Sequence, residues 1–401
     1  MAKKTLRDLN DLSGKRVLIR VDFNVPLNDD GSISNDRRIR AALPTIRHVL
    51  DAGAVAICMS HLGRPKGDPK QDAIYRMDRV GQRLSELLGK PVKKLDQVVG
   101  PEVTAAVQTA SPGSVILLEN LRFHPGEQKG DEAFAAELAK IGDVYVNDAF
   151  GTCHRTDASM YAVPKLMTGK PRVVGFLVAK ELEILERLLT APARPFVGVL
   201  GGAKVSDKIG FIKRLLERVD RVLIGGAMTY TFMQALGQSI GNSRVEADKL
   251  DVARELLSLG QGKITLPVDH LIADRLDASA ATKIVEGPIP DGWIAVDIGP
   301  KTIAQYADII GQAKMVVWNG PMGKFEDEPF SRGTRAIAEA MAGSSAITVV
   351  GGGETAEAVE AFGLDNKMTH VSTGGGAFLE YVEGTPFKAL SVLDDADERK
   401  P

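Results

Sequence analysis

The chain has 401 residues, 44% of them apolar and 25% charged, with a formal net charge of −2. This length predicts two domains of about 200 residues each, because one hydrophobic core rarely serves so long a chain. The balanced charge argues against a nucleic-acid-binding protein. No run approaches the roughly 18 apolar residues of a membrane helix, so we expect no membrane partner.

Nine short apolar runs along the chain are predicted to be strands. They are rich in Val, Ile and Leu rather than alternating, which is typical of parallel strands covered on both faces. They lie near residues 16–21, 54–59, 114–118, 144–146, 196–200, 221–224, 314–318, 346–350 and 370–372.

Amphipathic stretches between these runs predict helices, four of them near residues 39–52, 76–88, 208–218 and 334–342. Alternation of strand and helix predicts a doubly wound α/β architecture. A further apolar stripe begins at Val178 and ends before the helix stop Thr190-Ala-Pro. We expect this segment to be a helix that connects two domains.

The two cysteines, Cys58 and Cys153, lie in or beside apolar runs and form no Cys-x-x-Cys pair. They are predicted to be buried free thiols in a reducing compartment. The amino-terminal residues lack the apolar stretch of a secretory signal. We therefore expect a soluble cytoplasmic protein.

Cationic residues follow the predicted strands of the first half of the chain. Arginine presents a planar fork that matches carboxylate and phosphate oxygens, so converging arginines favour a small substrate carrying both groups. The alternative is that each is a surface, ion-paired or loop residue, and this alternative is better for any one taken alone. The set is Arg20, Arg38, His61, Arg64, Arg122, His154 and Arg155.

Asp22 and Asn24 lie among these cationic residues, in the segment Arg-Val-Asp-Phe-Asn-Val-Pro that starts at Arg20. Spacing leaves two interpretations of Asp22 equally open. It pairs with Arg20, or it accepts a hydrogen bond from a substrate hydroxyl.

The clusters of the second half are rich in glycine and follow strands at 201–204, 225–227, 351–355 and 374–376. Glycine lets the backbone approach phosphate closely, and a helix N-terminus supplies free N–H groups. Lys204 and Lys208 are four residues apart, so we expect both on one helical face. Neither G-x-x-x-x-G-K-[ST] nor, after the first strand, G-x-G-x-x-G is present. One such turn alone would indicate only a tight connection.

Two carboxylates accompany the glycine clusters. Glu354 follows Gly353 at a predicted helix start, where it could hold Mg²⁺ against nucleotide phosphates or simply favour the helix dipole. Glu326 follows the segment Trp318-Asn-Gly-Pro-Met-Gly, where it could bind ribose hydroxyls.

Seven of these motifs together resemble the phosphoglycerate kinase family, in order over nearly the whole chain. They are Arg20-Val-Asp-Phe-Asn-Val-Pro, Ser60-His-Leu-Gly-Arg-Pro, Leu118-Glu-Asn-Leu-Arg-Phe, Asn147-Asp-Ala-Phe-Gly-Thr-Cys-His-Arg, Leu200-Gly-Gly-Ala-Lys-Val-Ser-Asp-Lys, Trp318-Asn-Gly-Pro-Met-Gly and Ser372-Thr-Gly-Gly-Gly-Ala.

The resemblance implies two Rossmann-like, doubly wound parallel-sheet domains joined by an interdomain helix and a hinge. The implied ranges are 1–172 for glycerate, 173–190 for the helix and 191–381 for nucleotide, with residues 382–401 packing back on the first domain. It also implies a monomer that transfers the acyl phosphate of 1,3-bisphosphoglycerate to MgADP after hinge closure, giving ATP and 3-phosphoglycerate reversibly.

The resemblance also assigns site residues. The glycerate substrate is expected at Asp22, Asn24, Arg38, His61, Arg64, Arg122, His154 and Arg155. The nucleotide is expected at Gly202, Ala203, Lys204, Lys208, Gly226, Asn319, Pro321, Glu326, Gly351, Gly352, Gly353, Glu354 and Thr355. The catalytic set is expected to be Arg38, Lys204, Gly352 and Gly353.

Two positions depart from the family pattern. Glu354 stands where the family usually has Asp as the metal ligand, so we expect Glu354 to hold Mg²⁺ directly or through water. Asp157 stands where a second histidine is common. These departures leave open a non-catalytic anion-binding or regulatory protein that kept this fold. A kinase for another carboxylate or acyl phosphate is a second alternative, in which the arginine set would suit another substrate.

Overall fold

The computed structural model describes residues 2–396, which form two compact units. The first unit runs to Glu183 and resumes at Pro386, and the second extends from Ile184 to Thr385. The division falls inside a helix that the sequence analysis set apart as a connecting segment. Residues 397–401 of the predicted segment 382–401 lie outside the described residues.

The first unit is built on six parallel strands in the order β3-β4-β2-β1-β5-β6. The strands are β1 (Arg16–Val21), β2 (Val55–Met59), β3 (Val92–Lys94), β4 (Val115–Leu117), β5 (Val144–Asp148) and β6 (Arg172–Val174). The helices are α1 (Arg37–Asp51), α2 (Asp78–Leu88), α3 (Pro101–Gln108), α4 (Glu132–Lys140), α5 (Val163–Leu166) and α6 (Phe176–Thr190), which continues into the second unit.

Helix α1 shows why these segments fold as they do. Its apolar residues Ile39, Ala42, Ile46 and Val49 recur at helical spacing and are buried. They join the core formed with the inward side chains of β1 and β2. Burying such side chains stabilises the unit by about 1.5–3 kcal/mol for each large one.

The end of the described chain belongs to the first unit. The Lys4 N–H donates to the Asp394 carbonyl at 2.9 Å, and Arg172 pairs with the Asp394 carboxylate at 2.8 Å. The ring of Phe387 lies 6.2 Å from that of Phe150. Lys4 and Asp394, from the two ends of the described chain, thus both bond to strand β6.

The second unit holds another parallel six-stranded sheet, in the order β15-β14-β13-β7-β8-β9, and a small antiparallel sheet, β11-β10-β12. Its strands are β7 (Phe196–Leu200), β8 (Arg221–Ile224), β9 (Ile264–Thr265), β10 (Asp269–Ala273), β11 (Thr282–Glu286), β12 (Ile294–Ile298), β13 (Met315–Asn319), β14 (Ile347–Gly351) and β15 (His370–Val371).

Its helices flank the parallel sheet. They are α7 (Ile209–Leu216), α8 (Met228–Ala235), α9 (Leu250–Leu259), α10 (Pro300–Gln312), α11 (Arg332–Gly343), α12 (Gly353–Ala361) and α13 (Gly376–Glu383). The short α14 (Lys388–Ser391) follows in the first unit.

All nine predicted strands and the doubly wound α/β class are confirmed. The antiparallel sheet was not predicted, and its edge strand β11 is exposed and has no apolar run to mark it. The edge strands β3, β6 and β9 were missed as well, and each has only two or three residues. Both cysteines are buried free thiols, as predicted.

His270 on β10 is an unusual core residue of the second unit. Its side chain is fully buried against Tyr230, with 5.6 Å between the ring centroids. Neither ring nitrogen has a hydrogen-bond partner among residues 2–396. Burial lowers the pKa of His270 to about 4, so the folded protein keeps this ring neutral.

His270 therefore makes stability fall with acid. Below the ordinary histidine pKa of about 6.5 the unfolded chain binds a proton that the folded chain refuses, so stability present at pH 7 is lost as pH falls toward 4. Between pH 7 and pH 5 we expect the neutral His270 to lower the free energy of unfolding by about 2 kcal/mol. His270→Leu is expected to lose that part of the pH dependence.

The measurement is urea unfolding at pH 7 and pH 5, followed by the fluorescence of Trp293 and Trp318. These are the only tryptophans of the chain, and both belong to the second unit. The control is His48→Leu on α1, in the first unit. Equal loss of stability in the wild type and His270→Leu would contradict the assignment.

Candidate functional site

Most of the predicted cationic residues of the first unit gather where its parallel strands end. We refer to Asp22, Asn24, Arg38, His61, Arg122, His154 and Arg155 as the cationic cluster. Strand β1 leads into Asp22, β2 into His61 and β4 into the turn that carries Arg122. Because carboxyl ends of parallel strands share one edge, separate segments meet there.

Asp22 pairs with Arg38, so the interpretation that Asp22 pairs with Arg20 is wrong. The Arg38 Nη1 donates to the buried Asp22 carboxylate at 2.7 Å. The Asn24 N–H also donates to Asp22, and the Asn24 side-chain oxygen accepts from the Gly63 N–H at 2.8 Å. Arg38 remains about one third exposed, so its guanidinium keeps donors free for a ligand.

Arg20 is fully buried and does not present its charge to solvent. Its guanidinium donates to the Val21 carbonyl, to the Ser159 hydroxyl at 2.8 Å and to His61 Nδ1 at 3.1 Å. The Ser159 hydroxyl donates in turn to the buried Glu127 carboxylate at 2.5 Å. Arg20 therefore orients His61 of the cationic cluster rather than binding an anion itself.

His61 is neutral and carries its proton on Nε2. A guanidinium offers only donors, so Nδ1 must accept from Arg20. Burial, followed by the charges of Arg20, Arg122, Arg155 and Arg38, holds the pKa of His61 well below its usual value. Nε2–H is then left as a donor to an anionic oxygen.

Burial and the neighbouring Arg155 lower the pKa of Arg122, whose Nη1 donates to the Gly63 carbonyl at 2.6 Å. The departure at Asp157 places a carboxylate with 8% exposure close enough to oppose that shift. Arg155 Nε lies 3.3 Å from His154 Nε2. Arg64 is exposed, and no hydrogen bond among residues 2–396 joins it to the cationic cluster.

Two glycine loops of the second unit, 201–204 and 351–355, meet at Asn319, the last residue of β13, and the loop 225–227 packs against the first of them. We refer to the predicted nucleotide residues in contact there as the glycine-loop cluster: Gly202, Lys208, Gly226, Asn319, Pro321, Gly351, Gly352, Glu354 and Thr355. Lys208 Nζ donates to the Asn319 side-chain oxygen, and Asn319 Nδ2 donates to the Gly351 carbonyl at 2.9 Å.

Backbone contacts bring the other loops to the same place. The Gly202 N–H donates to the Pro321 carbonyl at 2.8 Å, and the Gly320 N–H donates to the Thr355 hydroxyl at 2.7 Å. Gly226 touches the Gly202 backbone so closely that a side chain at Gly226 would collide with it. Three loops are therefore packed backbone to backbone.

Gly352 is the N-cap of α12 and has φ +95°, a conformation that favours glycine. A Cβ there would lie 2.6 Å from Asn319 Nδ2. Gly353 and Glu354 follow, both exposed, in the first turn of α12. The first N–H groups of a helix have no intrahelical partner, so this turn can bind an anion.

The charge of the glycine-loop cluster depends on Lys208. Burial lowers the pKa of this amine to about 8, against the opposing charges of Glu354 and Asp207. Ala203 and Lys204 are exposed. Glu326 is exposed too, and within the described range no hydrogen bond or ion pair joins it to the others.

Two expectations about the Lys204 loop are wrong. Lys204 and Lys208 do not share a helical face, because the first turn begins only at Ser206 and Lys208 turns inward to Asn319. The N–H groups of Val205 and Ser206 are not free either. Both donate to the Glu246 carboxylate, at 2.6 and 3.2 Å.

Sequence reasoning missed Glu246 and Asp297. Buried Asp297 is the next-to-last residue of β12 and accepts from the Gly333 N–H at 2.5 Å, which holds the start of α11 beside the 319–324 loop. Burial raises its pKa to about 7. Their partners lie 41 and 36 residues away along the chain, so no local motif marks either carboxylate.

A family model described as phosphoglycerate kinase matches residues 6–385. The chain is 53% identical over 406 residues to the phosphoglycerate kinase of Chloroflexus aurantiacus, covering 99% of this chain and all of the relative. It is 51% identical over 399 residues to that of Rhodopirellula baltica, with the same coverage.

Solved structures agree with these relatives. The structure of phosphoglycerate kinase from Coxiella burnetii superposes with a TM-score of 0.85 at 39% identity, covering 97% of this chain and 98% of that one. The crystal structure of the enzyme from Pyrococcus horikoshii gives a TM-score of 0.85 at 33% identity, covering 98% of each chain.

The contact between Arg20 and His61 generates a spectroscopic prediction. In ¹⁵N spectra of histidine-labelled protein, we expect His61 to show the Nε2-protonated tautomer unchanged from pH 6 to pH 8. The reason is that protonating Nδ1 would set two donors against each other in a buried site. His61→Asn identifies the signal by its loss, and a His61 resonance that titrates near pH 6.5 would contradict the geometry.

Proposed function

The chain belongs to the phosphoglycerate kinase family, and we propose that its two clusters hold the two substrates of that reaction. It is a phosphotransferase of glycolysis that exchanges a phosphoryl group reversibly between ATP and 3-phosphoglycerate. The alternatives of a non-catalytic binder or another carboxylate kinase have no relative among these matches to support them.

We assign the glycerate substrate to the cationic cluster together with Arg64. The support is that four guanidinium groups lie close enough to His61 for their charges to lower the pKa of its ring. They are those of Arg20, Arg122, Arg155 and Arg38. A trianionic ligand such as 3-phosphoglycerate compensates this concentration of positive charge, because arginine forks match phosphate and carboxylate oxygens. Asp22 and Asn24 supply acceptors and donors suited to the glycerate hydroxyl.

We assign ATP and ADP to the glycine-loop cluster together with Ala203, Lys204, Gly353 and Glu326. Three backbone turns lie close enough there for phosphate oxygens to meet N–H groups. The buried amine of Lys208 adds a positive charge that a bound phosphate would stabilise. Exposed Glu326 is assigned to the ribose hydroxyls.

In this assignment, transfer depends on positioning and on charge rather than on covalent catalysis. Arg38 and Lys204 neutralise the equatorial oxygens of the phosphoryl group, and the N–H groups of Gly352 and Gly353 bind the same oxygens. The attacking carboxylate or ADP oxygen is already anionic, so no general base is needed. Neutral His61 fits that description, because it orients substrate without moving a proton.

Mg²⁺ is the remaining component that we propose. No group of three or more His, Cys, Asp or Glu side chains within residues 2–396 makes a protein metal cage. One exposed carboxylate, Glu354, next to a phosphate-binding turn fits an ion that takes most ligands from phosphate and water. Bound there with the nucleotide, the ion would supply charge neutralisation of phosphate oxygens.

We also propose a cytoplasmic monomer. Among the described residues, none of the helices has the length and apolar character needed to cross a bilayer.

The substrates are assigned to different units, so the transfer requires the units to close, which also excludes water from the acyl phosphate.

The assignment is carried by the packing of three glycine loops around Asn319 and Gly202, and Lys204 tests it. We expect the wild type to phosphorylate 3-phosphoglycerate with ATP and Mg²⁺, measured by coupling to NADH oxidation through glyceraldehyde-3-phosphate dehydrogenase. Lys204→Ala should lower kcat by about 10²–10³-fold, as for loss of one transition-state donor.

The matched control is Lys213→Ala, which removes an exposed lysine of α7 that pairs with Glu255. Its kcat should match the wild type. Wild-type turnover with an unimpaired Lys204→Ala would place the phosphoryl group elsewhere. Equal turnover of acetate and other carboxylates would contradict the assignment of the cationic cluster to glycerate.

Glu354 provides a separate prediction about the metal. Glu354→Asp should keep kcat similar or better, whereas Glu354→Ala should raise the Mg²⁺ concentration needed for half-maximal activity by about tenfold, as for loss of a carboxylate ligand. The measurement is a Mg²⁺ titration at saturating substrates. The control is Glu357→Ala, an exposed residue of the same helix. An unchanged Mg²⁺ requirement in Glu354→Ala removes this residue from the metal site.

A further inference from the structure

The loop that carries Lys204 is held at both ends and exposed in the middle. On one side, the Gly202 N–H donates to the Pro321 carbonyl at 2.8 Å and the Gly202 carbonyl accepts from the Met228 N–H at 3.1 Å. On the other side, the backbone continues into the buried side chain of Val205. Ala203 and Lys204 form the exposed apex between these anchors.

Glu246 forms the polar part of the second anchor. One carboxylate oxygen accepts from the N–H groups of Val205 at 2.6 Å and Ser206 at 3.2 Å. The other oxygen accepts from the Ser206 hydroxyl at 2.5 Å. Three donors on two consecutive residues fix the position and direction of the chain directly after Lys204.

Glu246 is itself held in place by the element that supports the first anchor. Its N–H donates to the hydroxyl of Thr231, a buried residue of α8, at 3.2 Å. The same helix begins at Met228, whose N–H binds Gly202. Helix α8 therefore sets the spacing between the two anchors. It holds Glu246, whose carboxylate binds Val205 and Ser206 at the second anchor.

The geometry points to Glu246 as a positioning residue for Lys204 in phosphoryl transfer. This inference rests on the role proposed for Lys204. The carboxylate contacts the two residues after Lys204 and fastens the loop so that the amine keeps its direction. A positioning error of about 1 Å costs as much as 10²-fold in rate, so loss of these contacts should be visible in turnover.

Three substitutions separate position from charge. Glu246→Ala removes all three contacts, and Glu246→Asp withdraws the carboxylate by one methylene. Glu246→Gln keeps an oxygen for both backbone N–H groups and an amide donor for the Ser206 hydroxyl, but has no charge. We expect kcat to fall about tenfold for the first two and to stay within about threefold for Gln.

The split between kcat and KM is the readout that a purely structural role would not give. Lys204 acts on the phosphoryl group in flight, so KM for ATP and for 3-phosphoglycerate should stay within about twofold while kcat falls. The double variant Lys204→Ala/Glu246→Ala should be no slower than Lys204→Ala alone, because one effect acts through the other.

Two controls define the comparison. Glu255→Ala removes a neighbouring carboxylate of α9 that pairs with Lys213 at 2.6 Å, and should leave kcat unchanged. Urea midpoints of all variants report whether the fold is intact. If Lys204→Ala is harmless, the proposed function fails at that residue. If Lys204→Ala is impaired and Glu246→Ala is not, or if their effects multiply, the inference about Glu246 is overturned.

Discussion

The arrangement of the glycine loops in the second unit depends on the hydrogen bonds of the Asn319 side chain. Strand β13 pairs in register with β14 and β7, so Asn319 lies level with Gly351 on one side and Leu200 on the other. The loops that follow those strands must therefore start beside one amide group. Asn319 accepts from Lys208 and donates to Gly351, which converts parallel pairing into a fixed arrangement of glycine turns.

The first unit holds several positive charges close together, and it must do so even when no anion is bound. Glu127 and Asp22 neutralise part of that charge from inside, through Ser159 and Arg38. Burial raises the pKa of Glu127, and the nearby Arg20 opposes this shift. The result is a surface on which donors are already oriented, so a ligand need not reorganise them.

Sequence alone revealed the elements that carry their own local signal. Buried parallel strands are visible as apolar runs, and arginines or glycines that follow them mark the ends where ligands bind. The sequence did not show which distant side chains and backbone groups pair with one another. Asp22 pairs with Arg38 rather than Arg20, and Glu246 reaches Val205, because such contacts depend on how distant segments pack. Exposed β11 gave no signal for the same reason that it contributes little to the core.

The contact between Arg172 and Asp394 has a consequence for the order in which the protein is made. The second unit is continuous from Ile184 to Thr385, whereas the first takes its final piece from Pro386 onward. During synthesis from the amino terminus, the ribosome releases every residue of the second unit before that final piece. The unit that starts first is thus completed only after the whole second unit has been synthesised, and β6 lacks its partner Asp394 until then.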